Sequence, residues 1–162
     1  YGPTYGYRSS ITKTMVEHLH RTVGKTLAMA GVAAGDWVLE IGSNDGTTQK
    51  FLANRGLNLV ATDPSAAKFA QEYPKESHLI IDFFSRAKVK EISGDHSFKA
   101  VVSIAMFYDL EDPVSFVRAI AKSARHTEKA AKPHCTTRRM SVPTSTVPIA
   151  RPPSAAPRPH VA

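Results

Sequence analysis

Residues 38–46 read VLEIGSNDG, a run of Val, Leu and Ile around one acid, closed by two glycines four apart. An unbroken apolar run suits a strand buried on both faces, and a glycine-bounded turn after it opens an α/β nucleotide-binding unit when a helix and a second strand follow. Both follow. TTQKFLANRG (47–56) supplies a helix with Phe51 and Leu52 inward and Gly56 as its stop. LNLVATDPS (57–65) supplies a second strand over 58–62, ending at Asp63 and broken by Pro64.

The pattern repeats downstream. SAAKFAQEY (65–73) predicts a short helix, SHLIID (77–82) a third strand ending at Asp82, and FFSRAKVKEISG (83–94) a further helical piece. FKAVVSIAMFYDLEDP (98–113) carries a fourth strand over 99–104, and DPVSFVRAIAKSA (112–124) a helix started by Asp112 with Pro113 in its first position. Upstream, SSITKTMVEHLHRTVGKTLAMAG (9–31) spaces Ile11, Met15, Leu19 and Val23 along one helix face, with Ser9 or Ser10 as the cap and Gly31 as the end. His18 and His20 point to different faces of that helix, so solvation or packing is expected of them rather than ligation. The order βαβαβαβα implies a parallel α/β sheet covered on both faces and joined by right-handed crossovers. Three parts are expected: an arm and helix over 1–35, a Rossmann-like domain over 36–126, and a tail over 127–162.

Charge follows the same division. The formal net charge is +7, but residues 1–126 hold 15 Lys and Arg against 13 Asp and Glu, whereas 127–162 hold 6 against 1. The excess lies in the tail, and the mixed signs of the head argue against a nucleic-acid surface there. The tail also has seven of the eleven prolines and no aromatic residue. Disorder is expected of it, because it cannot bury enough apolar surface to offset the entropy of ordering. Its abrupt onset after a fourth helix reads as unrelated or out-of-frame sequence replacing the rest of a domain; a basic partner-binding arm is the other reading.

The single cysteine, Cys135, has no internal disulfide partner and no companions for a metal site. A reducing, cytoplasmic setting is the default expectation, with no membrane span, no metal and an open oligomeric state. The chain starts at Tyr1 rather than Met, so preceding residues are expected.

The turn Gly42-Ser43-Asn44-Asp45-Gly46 lacks both the GxGxxG of dinucleotide folds and the GxxxxGK[ST] of P-loops, which argues against a dinucleotide-dependent oxidoreductase. It resembles the first motif of class I S-adenosylmethionine-dependent methyltransferases, an acidic strand end followed by GxGxG, with Asn44 at the middle glycine. Asn is the next best residue for a positive φ. On that resemblance the glycines admit the methionine portion of the cofactor and Glu40 meets its amino group. Asp63, 21 residues beyond Gly42, has the place of a carboxylate that accepts both ribose hydroxyls, with Pro64 beside it. Asp82 accepts from the adenine amino group, and Phe83 or Phe84 covers the ring. Three acids at the ends of successive strands are expected to converge on the rim where such sheets bind ligands.

Longer segments narrow the resemblance. YGYRSSITKTMVEHL, VLEIGSNDGTT, LVATDPSAAKF, IIDFFS and VVSIAMFYDLEDPVSFVR are similar to consecutive segments of the nucleotide-sugar C-methyltransferases, from about Tyr5 to about Ala121. The resemblance implies a nucleoside-diphosphate-linked keto sugar as the small-molecule partner. It also implies proton removal beside the ketone, with the resulting enolate taking the methyl group. The segment Ser103 to Tyr108, with Ala105 and Met106, lines the cofactor and the path to the sugar, and Tyr5, Tyr7 and Tyr108 are substrate-side candidates. Family members also carry a Cys-rich zinc domain ahead of the YGYRSS stretch and a His-Glu-His segment after the fourth βα unit, from which the base is drawn. Neither pattern occurs in these 162 residues, so no base is assigned and cofactor binding with little turnover is expected. The other function class is a non-catalytic cofactor-binding module with a basic interaction tail.

Overall fold

The computed structural model describes residues 5–124; the tail expectations for 127–162 lie outside them. Four parallel strands, β1 (Trp37–Ile41), β2 (Asn58–Thr62), β3 (Ser77–Ile80) and β4 (Ala100–Ser103), form one sheet in the order β3-β2-β1-β4. Register runs from Trp37 opposite Asn58 to Ile41 opposite Thr62, and Ile41 stands opposite Ser103 on the other side. The central position of β1 brings the carboxyl ends of β1, β2 and β4 side by side, the arrangement in which such sheets bind ligands.

Helices α1 (Lys13–Ala30) and α2 (Thr47–Leu52) join one sheet layer, α3 (Arg86–Ser93) and α4 (Pro113–Ser123) the other. Alternation along the strands feeds both layers. Val38, Leu59 and Val102 pack with Val23, Leu27 and Leu52, while Leu39, Ile41 and Val60 pack with Val89 and Phe98. Burying each such side chain stabilises the fold by roughly 1.5–3 kcal/mol. By the same alternation Glu40 falls on the Val38 side, under α2.

Several boundaries differ from expectation. Thr12, not Ser9 or Ser10, caps α1 by accepting the Met15 N–H, because Ser9–Ile11 forms a separate 3₁₀ turn ahead of it. Ile11 is therefore 65% exposed, and the buried stripe is Leu19, Val23 and Leu27. Gly31 does end α1, at φ 61°. His20 stacks on Phe51 at 4.4 Å, a packing role. Helix α2 stops at Leu52, short of Gly56, and residues Pro64–Glu72 form a 3₁₀ segment with Asp63 at its cap. Strand β3 ends at Ile80 rather than Asp82.

Strand β4 forms one edge of the sheet, with Val101 and Val102 in it and Ile104 just after it. Their side chains point to the two faces and pack in the helical layers; an edge exposes backbone groups, not strand side chains. Beyond α4 the chain touches that edge again, where Phe98 N donates to Ser123 O and Ala124 bridges Phe98 in parallel.

Candidate functional site

A cavity of about 430 Å³ opens at the carboxyl ends of β1, β2 and β4. Its floor and walls comprise Glu40 to Asn44 at the end of β1, Thr47 and Thr48 of α2, Thr62 to Ser65 at the end of β2, and Ile104 to Met106 after β4. Phe83, Phe84 and Tyr108 to Leu110 close one side; Tyr5, Tyr7 and Ser9 of the N-terminal arm, with Met15 and Leu19 of α1, close the other. Among these residues Glu40, Asp63 and Asp109 are acidic, and none is Lys, Arg or His. Such a wall favours a cationic or neutral ligand and disfavours a phosphorylated one.

The turn between β1 and α2 is shaped by its glycines. Gly42 has φ 79°, and a Cβ there would lie 3.0 Å from Met106 Sδ; Gly46 has φ 72°, and a Cβ would lie 3.1 Å from the Tyr73 ring. Both positions combine left-handed backbone with close approach, which only glycine meets without strain. Asn44 between them, at φ 50°, is in the left-handed conformation that Asn tolerates best after Gly. Tyr73, buried behind the turn, donates its hydroxyl to Asn44 O at 2.8 Å, so the Ser43 hydroxyl, also at 2.8 Å, donates to it. Burial pushes the Tyr73 phenol well above its ordinary value, so it stays a neutral donor.

Glu40 is 6% exposed and accepts from Gln49 Nε2 at 2.8 Å, while Gln49 Oε1 accepts from the Ser77 hydroxyl at 2.9 Å. Burial drives the Glu40 carboxyl up to about 7, against the lowering influence of Gln49 and Thr48 and with the nearby charges of Asp63 and Asp45 adding to the rise. The floor thus holds a buried acid whose protein partner is neutral. A ligand ammonium would supply the missing positive charge.

Asp63, 8% exposed, staples two loops together. Its Oδ2 accepts the Asn44 N–H at 2.9 Å, and its Oδ1 accepts the Ser65 N–H and hydroxyl, both at 2.6 Å. A carboxylate has about four acceptor positions. One remains open on Oδ2, so accepting two ribose hydroxyls requires the Ser65 hydroxyl to swing away.

The cavity brings together Tyr5, Tyr7, Glu40, Gly42, Ser43, Asn44, Asp63, Pro64, Phe83, Phe84, Ala105, Met106 and Tyr108 from the sequence-derived candidates. Asp45, Gly46, Asp82 and Ser103 do not line it. Asp45 is fully buried, and its carboxylate accepts from Thr47 and from the Ser10 N–H. Burial raises that carboxyl, but the bonds from Ser10 and Thr47 outweigh it and hold Asp45 below its ordinary value. The Ser103 hydroxyl is buried without a hydrogen-bond partner among the described residues. Of the three strand-end carboxylates, Glu40 and Asp63 line the cavity. With β3 ending two residues earlier, the Asp82 side chain turns to Lys88 of α3 and to the Phe83 N–H, and only its backbone carbonyl reaches toward β2, accepting from Thr62 Oγ1 at 2.8 Å.

Sequence reasoning missed Gln49, Thr48, Tyr73 and the arm residues Arg8 and Ser9. A polar residue on the inward side of a short helix directly after the glycine turn was the available signal for Gln49. Nothing in the local sequence marks Tyr73, whose partners lie 29 and 30 residues away. Among the described residues no helix is long and apolar enough to cross a membrane, and no group of three or more His, Cys, Asp or Glu could hold a metal ion.

No curated protein matches the chain. Residues 39–127, more than half of the sequence, match the family model described as methyltransferase domain. With the four-stranded parallel sheet and its turn after β1, this match makes the chain a member of the methyltransferase domain family, a class I methyltransferase whose methyl donor is S-adenosylmethionine.

Proposed function

We propose that the chain methylates a carbon of a keto sugar linked to a nucleoside diphosphate, and that the cavity above β1, β2 and β4 holds the methyl donor. The observation that carries the site assignment is the acid-bearing, cation-free wall of the cavity with Glu40 buried at its floor. In this reading Glu40 receives the amino group of the methionine portion, directly or through water. Gly42 lets the turn approach it, Asp63 receives the ribose, and Phe83 or Phe84 lies against the adenine. S-adenosylmethionine, when bound, supplies an electrophilic methyl on a sulfonium. The protein's own part is to orient the two reactants and exclude water around them, which accounts for an apolar wall of Ile104, Met106 and the arm tyrosines.

The sugar assignment draws its support from the segments quoted above, IIDFFS and VVSIAMFYDLEDPVSFVR above all. Tyr5, Tyr7 and Tyr108 are the substrate-side candidates in it. The wall has no Lys or Arg for the diphosphate and no His or Lys as a base, so the sugar's phosphates are met outside this cavity. Binding of the donor is therefore expected to exceed turnover in these 162 residues. Equilibrium dialysis with S-adenosylmethionine, challenged with NADH, followed by methyl transfer to a panel of nucleoside-diphosphate keto sugars, tests both parts. Retention of the donor that NADH does not displace supports the site. Transfer to an unrelated acceptor, with none to any sugar, overturns the substrate assignment.

A further inference from the structure

Asn44 stands where the class I motif has a glycine, and its side chain makes bonds that a glycine could not. Oδ1 accepts the Ser9 backbone N–H at 3.0 Å and Nδ2 donates to the Tyr7 carbonyl at 3.0 Å. One amide thus reproduces the donor and acceptor pair that a neighbouring strand would offer to residues 7 and 9 of an extended segment. The backbone of the same residue faces the other way. Its N–H donates to Asp63 and its carbonyl accepts from Tyr73. Asn44 is 7% exposed, so both sets of bonds are sheltered from water.

The arm is fastened at further points, all on the two loops that frame the cavity. Ser10 N–H donates to Asp45 Oδ2 at 2.9 Å, and Arg8 meets both Glu72 carboxylate oxygens at 2.8 Å while its guanidinium lies 4.7 Å from the Phe69 ring centre. Tyr5 and Tyr7 of this arm form part of the cavity wall. A displacement of either segment must therefore be felt by the part of the cavity wall that the arm forms.

We propose that Asn44 is a positioning residue that couples the cofactor turn to the arm, so that filling the turn and closing the wall formed by Tyr5 and Tyr7 are one event. The inference rests on the assignment of the turn over residues 42–44 to the cofactor and makes donor binding and closure of the acceptor wall depend on each other. A ligand on the turn and Asp63 holds the Asn44 backbone, and a held backbone presents the amide to the arm. Linkage requires the converse, that an attached arm strengthens ligand binding by the same factor.

Amide hydrogen exchange of the whole chain, with and without saturating S-adenosylhomocysteine, tests this on two variants. Asn44→Gly keeps the left-handed backbone and deletes the amide. Ser9→Pro keeps Asn44 and deletes the Ser9 N–H and hydroxyl that reach its Oδ1: Arg8 is already extended, at φ −125° and ψ 130°, and Ser9 opens a 3₁₀ turn, where proline fits. In the wild type the ligand is expected to slow exchange at Ser9 and Ser10 by about tenfold, a typical coupling. In both variants the Ser10 amide is expected to exchange about tenfold faster than in the wild type and to lose its response to the ligand. Ser9→Pro leaves the turn untouched, so it remains informative where Asn44→Gly weakens the fold. Calorimetry on the same samples separates the failures. Ligand uptake with unmoved arm exchange, or variants with wild-type arm exchange, overturns the coupling alone, whereas a folded wild type that takes up no ligand overturns the cofactor assignment and the coupling with it.

Discussion

At the scale of single residues, the site is a set of groups held under tension between burial and function. Glu40 is the clearest. Its carboxyl is raised from 4.5 to about 7, so the folded, ligand-free protein takes up a proton there that the unfolded chain releases. The sign follows: Glu40 contributes its full share below about pH 4.5 and loses it as pH rises through about 7, a loss of about 3 kcal/mol for a shift of this size. The free wild type is therefore expected to be less stable at pH 8 than at pH 5.5. Glu40→Gln is expected to flatten that slope in urea titrations across this range while weakening S-adenosylhomocysteine at least tenfold at pH 8. Because the ligand's ammonium favours the carboxylate, wild-type affinity is expected to rise between pH 6 and pH 8, with proton release seen as a buffer-dependent heat. Gly46→Ala combines a positive φ with a clash against Tyr73 and is expected to cost about 2 kcal/mol in the same titration. Ser103→Ala removes a buried hydroxyl without a partner among the described residues, so it is expected to leave stability unchanged or raise it by up to about 1 kcal/mol. A loss of 2 kcal/mol or more in that variant would show that the hydroxyl has a partner in solution.

At the scale of elements, legibility in the sequence tracked the strength of the local signal. The four strands announce themselves as apolar runs, and Asp112-Pro113 marks the start of α4, where Asp112 accepts the Ser115 N–H at 2.9 Å. Ends were less legible. SHLIID reads as a strand to Asp82 because Ile80 and Ile81 are continuous, yet β2 offers partners only as far as Thr62, opposite Ile80, so pairing stops there. Past that end the Asp82 side chain turns to Lys88 and the Phe83 N–H. Glu40 and Asp63 were legible because each sits within one residue of a strand end in a parallel sheet, where alternation leaves little choice of direction. Tyr5 and Tyr7 of the arm were legible only through the family resemblance, since the arm's attachments to Asn44, Asp45 and Glu72 span 35 to 64 residues and leave no periodic trace. Asp63→Ala removes the acceptor that joins the turn after β1 to the 3₁₀ segment after β2. It is expected to cost about 2 kcal/mol of stability and to abolish measurable S-adenosylhomocysteine binding in calorimetry.

At the scale of the whole molecule, the sheet ends in β4 on one side and β3 on the other, and apolar side chains remain exposed near the mouth of the cavity and on α4, with Phe107 at 52%, Val114 at 57% and Val117 at 48%. The unpaired backbone groups of an edge strand and a solvent-facing apolar patch favour association of copies. Sedimentation velocity across a concentration series is expected to show reversible growth in mass. A monomer at every concentration with a sharp cooperative melt would contradict that expectation. The charge division along the sequence bears on solubility more than on the site, because the cavity wall itself carries acids only.

Whether the cavity is a seat for an adenosyl amino acid is tested directly by calorimetric titration of the folded chain with S-adenosylhomocysteine at pH 8, with NADH as the control. Single-site uptake of S-adenosylhomocysteine, absent in Asp63→Ala and with no heat from NADH, is the predicted result. No uptake by folded wild-type protein, or equal uptake of both ligands, would contradict it.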